Sequence, residues 1–369
     1  MLAGKQHTDE KLLQLQECQE EMQTLLTKLI REIKDSKKTI RTLEQRLRRR
    51  DELPKRAAGM RRAAGEKPLW VIKCPAPSDA RRANWGDYPF ALSLQKELRR
   101  RGIYAVIDLY EDWNYEEVAD VVIALRGKYP YLPDRRNTSC VYLLWNISHP
   151  DTVTDEEYAS YDIVCVASKR YATALRERLT VPVYPLLQCT DTELFYPDDT
   201  VRQDMDYLFV GNTRKVVREG VVWAAEEGKD LTIYGKGWDK LLPDSKRFVR
   251  AEAIAGDKLP ELYRRARVTL NDHWADMRDN GFVNNRVFDA LASGLPVLSD
   301  ANPELMELFP TEVLTYTDKD GFLASVRRLE ADYEEIRKGV LALRKRICEE
   351  FSFKARAREL TEIINNYEH

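Results

Sequence analysis

Arg286 and Asp289 stand three residues apart in the segment GFVNNRVFDALASGLPVLSD, Gly281–Asp300. The segment reads as a Gly-led polar loop, a helix, a Gly-Leu-Pro turn and a buried strand. The two charged side chains therefore share one side of the first helical turns. A cation and an anion at the mouth of a helix suit a ligand that carries both phosphates and sugar hydroxyls. The alternative is a local ion pair worth roughly a few tenths of a kcal/mol. Unpaired backbone N–H groups and the helix dipole favour anions at that end. Gly281 lets the backbone approach closely, and Asn284, Asn285 and Arg286 can donate to phosphate oxygens, the last bidentately.

Further chemistry-bearing residues follow apolar runs. Gly211-Asn212-Thr213-Arg214 follows a strand and opens a helix, the usual place of a phosphate cradle in an α/β domain. Arg214, Lys215 and Arg218 at that helix start oppose its dipole, so a bound anion would offset a cost; ordinary solvation is the alternative. We favour Arg214 as the diphosphate ligand. Gly235 and Gly237 flank Lys236 after another strand, in a turn that fits a nucleotide wall or simply a tight turn. Asn271-Asp272-His273-Trp274 ends a strand, and Trp274 either packs on a base or sugar or belongs to the core.

In the first half, Trp145-Asn146-Ile147-Ser148-His149-Pro150-Asp151 follows a buried strand. His149 titrates near neutral pH and can take a proton from an acceptor hydroxyl, a structural role being the alternative. Asp87, in Trp85-Gly86-Asp87-Tyr88, is the rival base, with Gly86 allowing close approach. Asp204-Met205-Asp206 has the spacing of a metal-binding pair of acids, but it precedes its strand. No other carboxylate or His cluster asks for a metal, so none is expected.

These residues need elements to position them. Apolar, β-branched runs predict strands at Leu69–Lys73, Tyr104–Leu109, Asp120–Leu125, Val141–Trp145, Ile163–Ala167 and Val183–Leu186. Helices are expected at Phe90–Arg101 and Lys169–Leu179. A polar stretch at Cys189–Asp204 breaks the pattern, and a second set follows. Its strands are Tyr207–Val210, Leu231–Tyr234, Val268–Leu270, Val297–Ser299 and Val313–Tyr316. Its helices are Lys215–Glu226, Lys258–Ala266, the Arg286 segment, 320–347 and 353–367. Such strands imply two parallel, doubly wound sheets with ligands at the carboxyl ends of the strands. The domains are read as 68–190 and 191–350, with a final helix, 351–369, packing back towards the first.

Residues 10–47 carry a heptad pattern. Leu12, Gln19, Leu26, Ile33, Ile40 and Leu47 take position a, and Leu15, Met22, Leu29, Ser36 and Leu43 take position d. This predicts a long coiled-coil helix within 1–53 that joins copies of the chain; packing on its own globular domain is the alternative. Residues 48–67 hold eight Lys/Arg against three Asp/Glu, a local +5. They read as a basic linker (54–67 beyond the coiled coil) that either hinges or touches an anionic membrane surface.

The formal net charge of −2 over 369 residues gives no global field for nucleic acid. The six cysteines show no metal spacing and suit a reducing, cytoplasmic setting. No apolar run approaches the roughly 18 residues that span a bilayer.

The second domain resembles the donor half of GT-B glycosyltransferases, in particular the group-1 branch and the CgeB-like spore-protein transferases. The residues that carry this are YLFVGN at Tyr207–Asn212 with Arg214, IYGKGW at Ile233–Trp238, and NNRVFDALASGLPVLSD at 284–300. The resemblance spans Leu69 to the C-terminus, outside the coiled coil. It implies two Rossmann-like domains, an acceptor half and a nucleotide-sugar half, and no cofactor. The implied donor set is Asn212, Arg214, Gly235, Lys236, Gly237, Asn271, Gly281, Phe282, Val283, Asn284, Asn285, Arg286 and Asp289. Asp289 would take the place of the acid that accepts from the ribose hydroxyls. The group-1 pattern places another acid eight residues earlier, and here that slot is Gly281. The implied function is transfer of a sugar from a nucleotide-diphosphate sugar to a glycan or cell-envelope acceptor. The alternatives are a nucleotide-sugar epimerase of similar shape and a non-catalytic coiled-coil scaffold.

Overall fold

A computed structural model of the chain describes residues 19, 22–37, 40, 52–110, 113, 115–135, 137–214 and 216–367. The chain divides into two compact units, Met1–Met60 and Arg61–His369.

In the first unit, residues 22–37 form a helix with every side chain exposed. Met22, Leu25, Leu26, Leu29, Ile30 and Ile33 lie along it as large exposed apolar residues. The rest of the heptad region, apart from residues 19 and 40, lies outside the described residues. The stretch expected to be a linker is helical from 52 to 64. Its Ala, Lys and Arg are strong helix formers, and Gly65, at φ +61°, ends it in the left-handed conformation. Arg61 is tied to Asp120 at 2.7 Å.

The second unit holds two six-stranded sheets. The first contains β1 (Leu69–Cys74), β2 (Tyr104–Leu109), β3 (Val121–Arg126), β4 (Val141–Asn146), β5 (Ile163–Val166) and β6 (Val183–Pro185), ordered β2-β1-β3-β4-β5-β6. The second contains β7 (Met205–Val210), β8 (Leu231–Tyr234), β9 (Val249–Ala251), β10 (Ala266–Asn271), β11 (Val297–Asp300) and β12 (Val313–Tyr316), ordered β12-β11-β10-β7-β8-β9. Every pairing between these strands is parallel. The doubly wound pair expected from the apolar runs is therefore present. β1, β3 and β4 are buried along their whole length, as two-sided coverage by helices requires.

The differences are local. β9 escapes the sequence reading because it is a three-residue edge strand whose residues are mostly exposed. The helix expected from Lys215 starts only at Glu219, with Arg218 as its cap residue; Lys215 lies outside the described residues. The single helix expected over 320–347 is three, Lys319–Ala331, Tyr333–Ala342 and Arg344–Glu350, broken at Asp332 and Leu343.

Each sheet has a topological switch point, where the chain reverses its direction of travel across the sheet. In the first it falls between β1 and β3, in the second between β7 and β10. The halves are joined twice. Thr190 exchanges backbone hydrogen bonds with the Phe351–Phe353 segment, at 3.0 and 3.1 Å. The last helix, Phe353–Asn365, then leaves the second domain and sends Phe353, Ala357 and Leu360 into the core of the first. Phe353 meets Phe90 edge-on at 4.7 Å.

Candidate functional site

The second switch point gathers most of the sequence-expected donor residues. Gly211 ends β7, and its N–H donates to the Tyr234 carbonyl at 2.8 Å. Gly235 sits at φ +154°, where a Cβ would stand 2.0 Å from the Gly211 carbonyl oxygen; only glycine lets the two turns nest. Asn212 Oδ1 accepts from the Lys236 N–H at 2.8 Å. Gly237, at φ +83°, leaves no room for a Cβ beside Thr213 Oγ1, 2.6 Å away. These nested turns wall a cleft of about 340 Å³, closed on its other side by Trp85, Gly86 and Pro89 of the first domain.

Three arginines meet beside it. Arg218, 2% exposed, pairs with Asp272 Oδ1 and donates to the Asn212 carbonyl at 2.5 Å. Arg286 donates to the carbonyls of Val210 at 3.2 Å and Asp272 at 2.8 Å. Arg214 lies over the Trp274 ring at 4.4 Å and adopts a left-handed φ of +58°, a strained conformation for a non-glycine residue that is held only by its surroundings. Burial, then the charges of Arg286 and Arg218, pull the Arg214 guanidinium down to about 9. Burial also lowers Arg218 to about 10, although the Asp272 carboxylate opposes this. Desolvation and the neighbouring positive charges both disfavour the charged forms of these guanidiniums.

The helix Asn285–Ala292 points its N-terminus at this cluster, and its cap residue Asn284 makes no side-chain cap bond. Asn284 Nδ2 donates to the Asp272 carbonyl at 3.1 Å, while its Oδ1 is buried without a partner among the described residues. The Asn285 N–H is taken by Gln188 Oε1 at 2.8 Å.

Four expectations change here. Arg286 and Asp289 neither pair nor face one ligand. Arg286 reaches back to the β7 and β10 loops, whereas the shorter Asp289 turns inward and is 4% exposed. Its Oδ1 accepts from Thr190 Oγ1 at 2.6 Å and its Oδ2 from Asn285 Nδ2 at 3.2 Å. Burial pushes its carboxyl up to about 8, against the bond from Thr190. Asn271 is also buried, donating to Ser299 Oγ on β11 at 2.9 Å, so it braces the sheet. Phe282 and Val283 are core residues, Phe282 packing edge-on against Tyr171 at 5.4 Å. Gly281, at φ +75°, has no space for an acid, since a Cβ there would meet Ser168 Oγ at 3.0 Å and Glu304 Oε2 at 3.4 Å. Glu304 fills that space from another element. Its Oε2 accepts from Ser168 Oγ at 3.1 Å and from the Lys169 N–H at 2.8 Å, capping the helix Lys169–Arg176 of the first domain.

The two candidate bases of the first domain are neighbours. His149 follows β4 in the left-handed conformation at φ 53°. Its Nδ1 lies 3.4 Å from Asp276 Oδ2, on the second domain, and its ring is 5.2 Å from that of Trp274. Burial works to raise the Asp276 carboxyl, but the bond and charge of His149 together with backbone N–H groups of Met277 and Asp276 hold the acid low. Asp87 begins the helix Asp87–Arg100 and lies against Gly127, where a Cβ would be 3.1 Å from its Oδ1. Burial raises its pKa, against a hydrogen bond from Trp85 and the nearby His149. Trp274 is half-buried and lies against both Arg214 and His149.

Sequence reasoning missed three acidic or basic groups that organise the site. Asp272 gathers two arginines, Asp276 orients His149, and His273 is buried with Nδ1 2.6 Å from Asp300 Oδ1. Asp272 and His273 stood in a motif already singled out, but their roles depend on partners from distant segments.

Comparison with known proteins agrees with this geometry. No curated protein matches the sequence. Three solved structures are among those that share the fold. One is an alpha-glucosyltransferase in complex with UDP and a 13-mer DNA containing an HMU base, at TM-score 0.59 and 9% identity over 81% of this chain and 100% of that one. Another is Anabaena Alr3699/HepE in complex with UDP, at 0.54 and 10% over 81% and 100%. A third is AviGT4, a glycosyltransferase of avilamycin A biosynthesis, at 0.55 and 18% over 80% and 96%. The architecture is thus GT-B, and residues 214–362 match the family described as glycosyl transferase-like.

Proposed function

We propose that this protein is a glycosyltransferase that moves a sugar from a nucleotide-diphosphate sugar to a glycan or cell-envelope acceptor. The observation that carries this is the trio of buried Arg218 and half-buried Arg214 and Arg286 at the switch point, beside the N-terminus of the helix Asn285–Ala292. Three guanidiniums and the positive end of the helix dipole match a diphosphate and stabilise it as it leaves. The nucleoside occupies the adjoining cleft of about 340 Å³. Uridine diphosphate is the first candidate, because the fold is shared with structures solved with UDP. His149, oriented by Asp276, takes the proton of the acceptor hydroxyl, with Asp87 as the neighbouring acid. Since basic side chains meet the leaving group, turnover continues in EDTA. Exclusion of water between the domains suppresses hydrolysis of the donor.

The motif at 284–300 favours the group-1 or CgeB-like branch. The exposed apolar stripe on residues 22–37 supports a coiled-coil homo-oligomer, and the basic run 48–67 supports a cytoplasmic protein that touches an anionic membrane surface. No helix among the described residues is long and apolar enough to cross a membrane.

The test is a thermal-shift panel of nucleoside diphosphates on the full chain and on Arg286→Ala. Stabilisation of the full chain by a diphosphate, lost in the variant, supports the reading; no stabilisation by any member sinks it. Incubating the sugar donor alone and finding an isomer would point instead to an epimerase. Removing residues 1–53 should lower the mass in solution by light scattering.

A further inference from the structure

The stretch Asp272–Trp274 leaves the second sheet at the end of β10 and carries the arginine cluster. Asp272 meets two of the arginines, Arg218 at its carboxylate and Arg286 at its carbonyl, the latter at 2.8 Å. Trp274 lies beneath the Arg214 guanidinium at 4.4 Å. The Asp272 carbonyl also accepts from Asn284, the cap residue of the helix Asn285–Ala292, at 3.1 Å. One short piece of backbone therefore positions the three guanidiniums and the helix end. The sheet does not hold it, because the pairing of β10 with β11 ends at Asn271 and Ser299.

What holds it is His273, the middle residue. Asp300, the last residue of β11, grips His273 at two points. Its Oδ2 accepts from the His273 backbone N–H at 3.0 Å, and its Oδ1 lies 2.6 Å from Nδ1. Ser299 Oγ adds a bond to Oδ1 at 3.1 Å, and Asn271 braces Ser299 in turn at 2.9 Å. Burial works to raise the Asp300 carboxyl, but the charge and bonds of His273, with the bond from Ser299, hold it below the usual carboxylate range. A carboxylate only accepts, so Nδ1 carries a proton and donates it. The rest of the ring does little. The side chain is fully buried, and Nε2 has no partner among the described residues. An unpaired ring nitrogen is unfavourable in the interior. What the imidazole offers over an apolar residue is thus the Nδ1 bond, a short, charge-assisted one.

We propose that His273 is a positioning residue for the donor diphosphate: locked to Asp300, it fixes the Asp272–Trp274 turn and, through it, the arginines that meet the phosphates. It touches no phosphate itself. The proposal rests on the transferase reading and names the residue that pre-organises its donor site. Donors aimed in advance at the charge they will meet lose nothing to rearrangement, and their aim depends on the groups that support them.

The test is calorimetric titration of the full chain with UDP, for the natural sequence and for His273→Leu, His273→Asn, Asp300→Asn and the double variant His273→Leu/Asp300→Asn. Leucine fills the buried space without a donor. Asparagine places its Nδ2 where histidine carries Nδ1. His273→Leu and Asp300→Asn should each weaken UDP binding about tenfold, the low end for a lost hydrogen bond to a charged group. His273→Asn should lose much less than His273→Leu, and the double variant should bind no worse than the weaker single one. UDP affinity unchanged in both single variants, His273→Asn as damaging as His273→Leu, or additive losses in the double variant overturns the proposal. If His273→Leu does not melt cooperatively, the comparison of Asp300→Asn with His273→Asn decides alone. A natural chain that binds no nucleoside diphosphate fails the donor reading itself; a natural chain that binds UDP with unaffected variants fails this inference only.

Discussion

The two switch points of this molecule are built from opposite materials. In the second domain the segment after β7 and the helix Asn285–Ala292 bring three arginines into a desolvated cluster whose charges outnumber the nearby carboxylates, Asp272 and Asp300. In the first domain each of two buried cations has its own carboxylate partners: Lys73 has Asp108 and Glu116, and Arg126 has Glu157 at 2.5 Å. What the first domain presents at its strand ends is aromatic and acidic. Unmatched buried charge marks a place where a ligand completes the electrostatics, whereas matched buried charge holds a surface in shape. The same architecture thus carries an arginine cluster at one switch point and an aromatic, acidic surface at the other.

That contrast can be broken most severely at His149. His149→Ala should lower sugar transfer by about 10²–10⁴-fold with nucleoside diphosphate affinity unchanged, read by parallel turnover and thermal-shift measurements. An equal loss of diphosphate binding would mean that the two sides are not separable. Arg286→Ala should do the reverse at the donor side, weakening diphosphate binding by about 1.5–3 kcal/mol, the range for hydrogen bonds to charged groups. Calorimetric titration with the diphosphate checks this, and retained affinity would place the anion elsewhere.

Gly235→Ala separates loop geometry from charge. Its new Cβ would fall 2.0 Å from the Gly211 carbonyl oxygen, with no arginine altered. Stability should drop by about 1–3 kcal/mol, seen in urea unfolding, and diphosphate binding should weaken with it. An unchanged midpoint would show that the nested turns are not required.

A pH-dependent effect concerns Asp289, whose carboxyl is raised to about 8 by burial. A raised acid keeps its proton in the folded state while the unfolded chain loses it. Its contribution is therefore complete below the usual carboxylate range and declines as pH climbs to about 8. Asp289→Asn should flatten that decline, removing a slope of up to about 1.4 kcal/mol per pH unit from unfolding curves taken between pH 5 and 8. Parallel slopes in the two proteins would show that Asp289 is already ionised in the fold.

Much of the fold could be read because period and composition are local properties. Eleven of the twelve strands announced themselves as apolar, β-branched runs. β9 did not, because a three-residue edge strand buries too little to leave a pattern. The tight turn at Gly235 and Gly237 was legible because backbone sterics depend on near neighbours. Asp289 was misread because spacing along a helix fixes the side on which a residue lies, not the partner its side chain finds. Thr190, ninety-nine positions away, decided that.

The sequence by itself determined two doubly wound sheets and the glycines at the turn after β8, since each follows from periodicity and the steric demands of one segment. Only the tertiary structure decided which charges are matched. It brought Asp272 to Arg218, Asp276 to His149, Asp300 to His273 and Glu304 to the Gly281 slot, because burial and charge pairing depend on distances between segments that the linear chain leaves free.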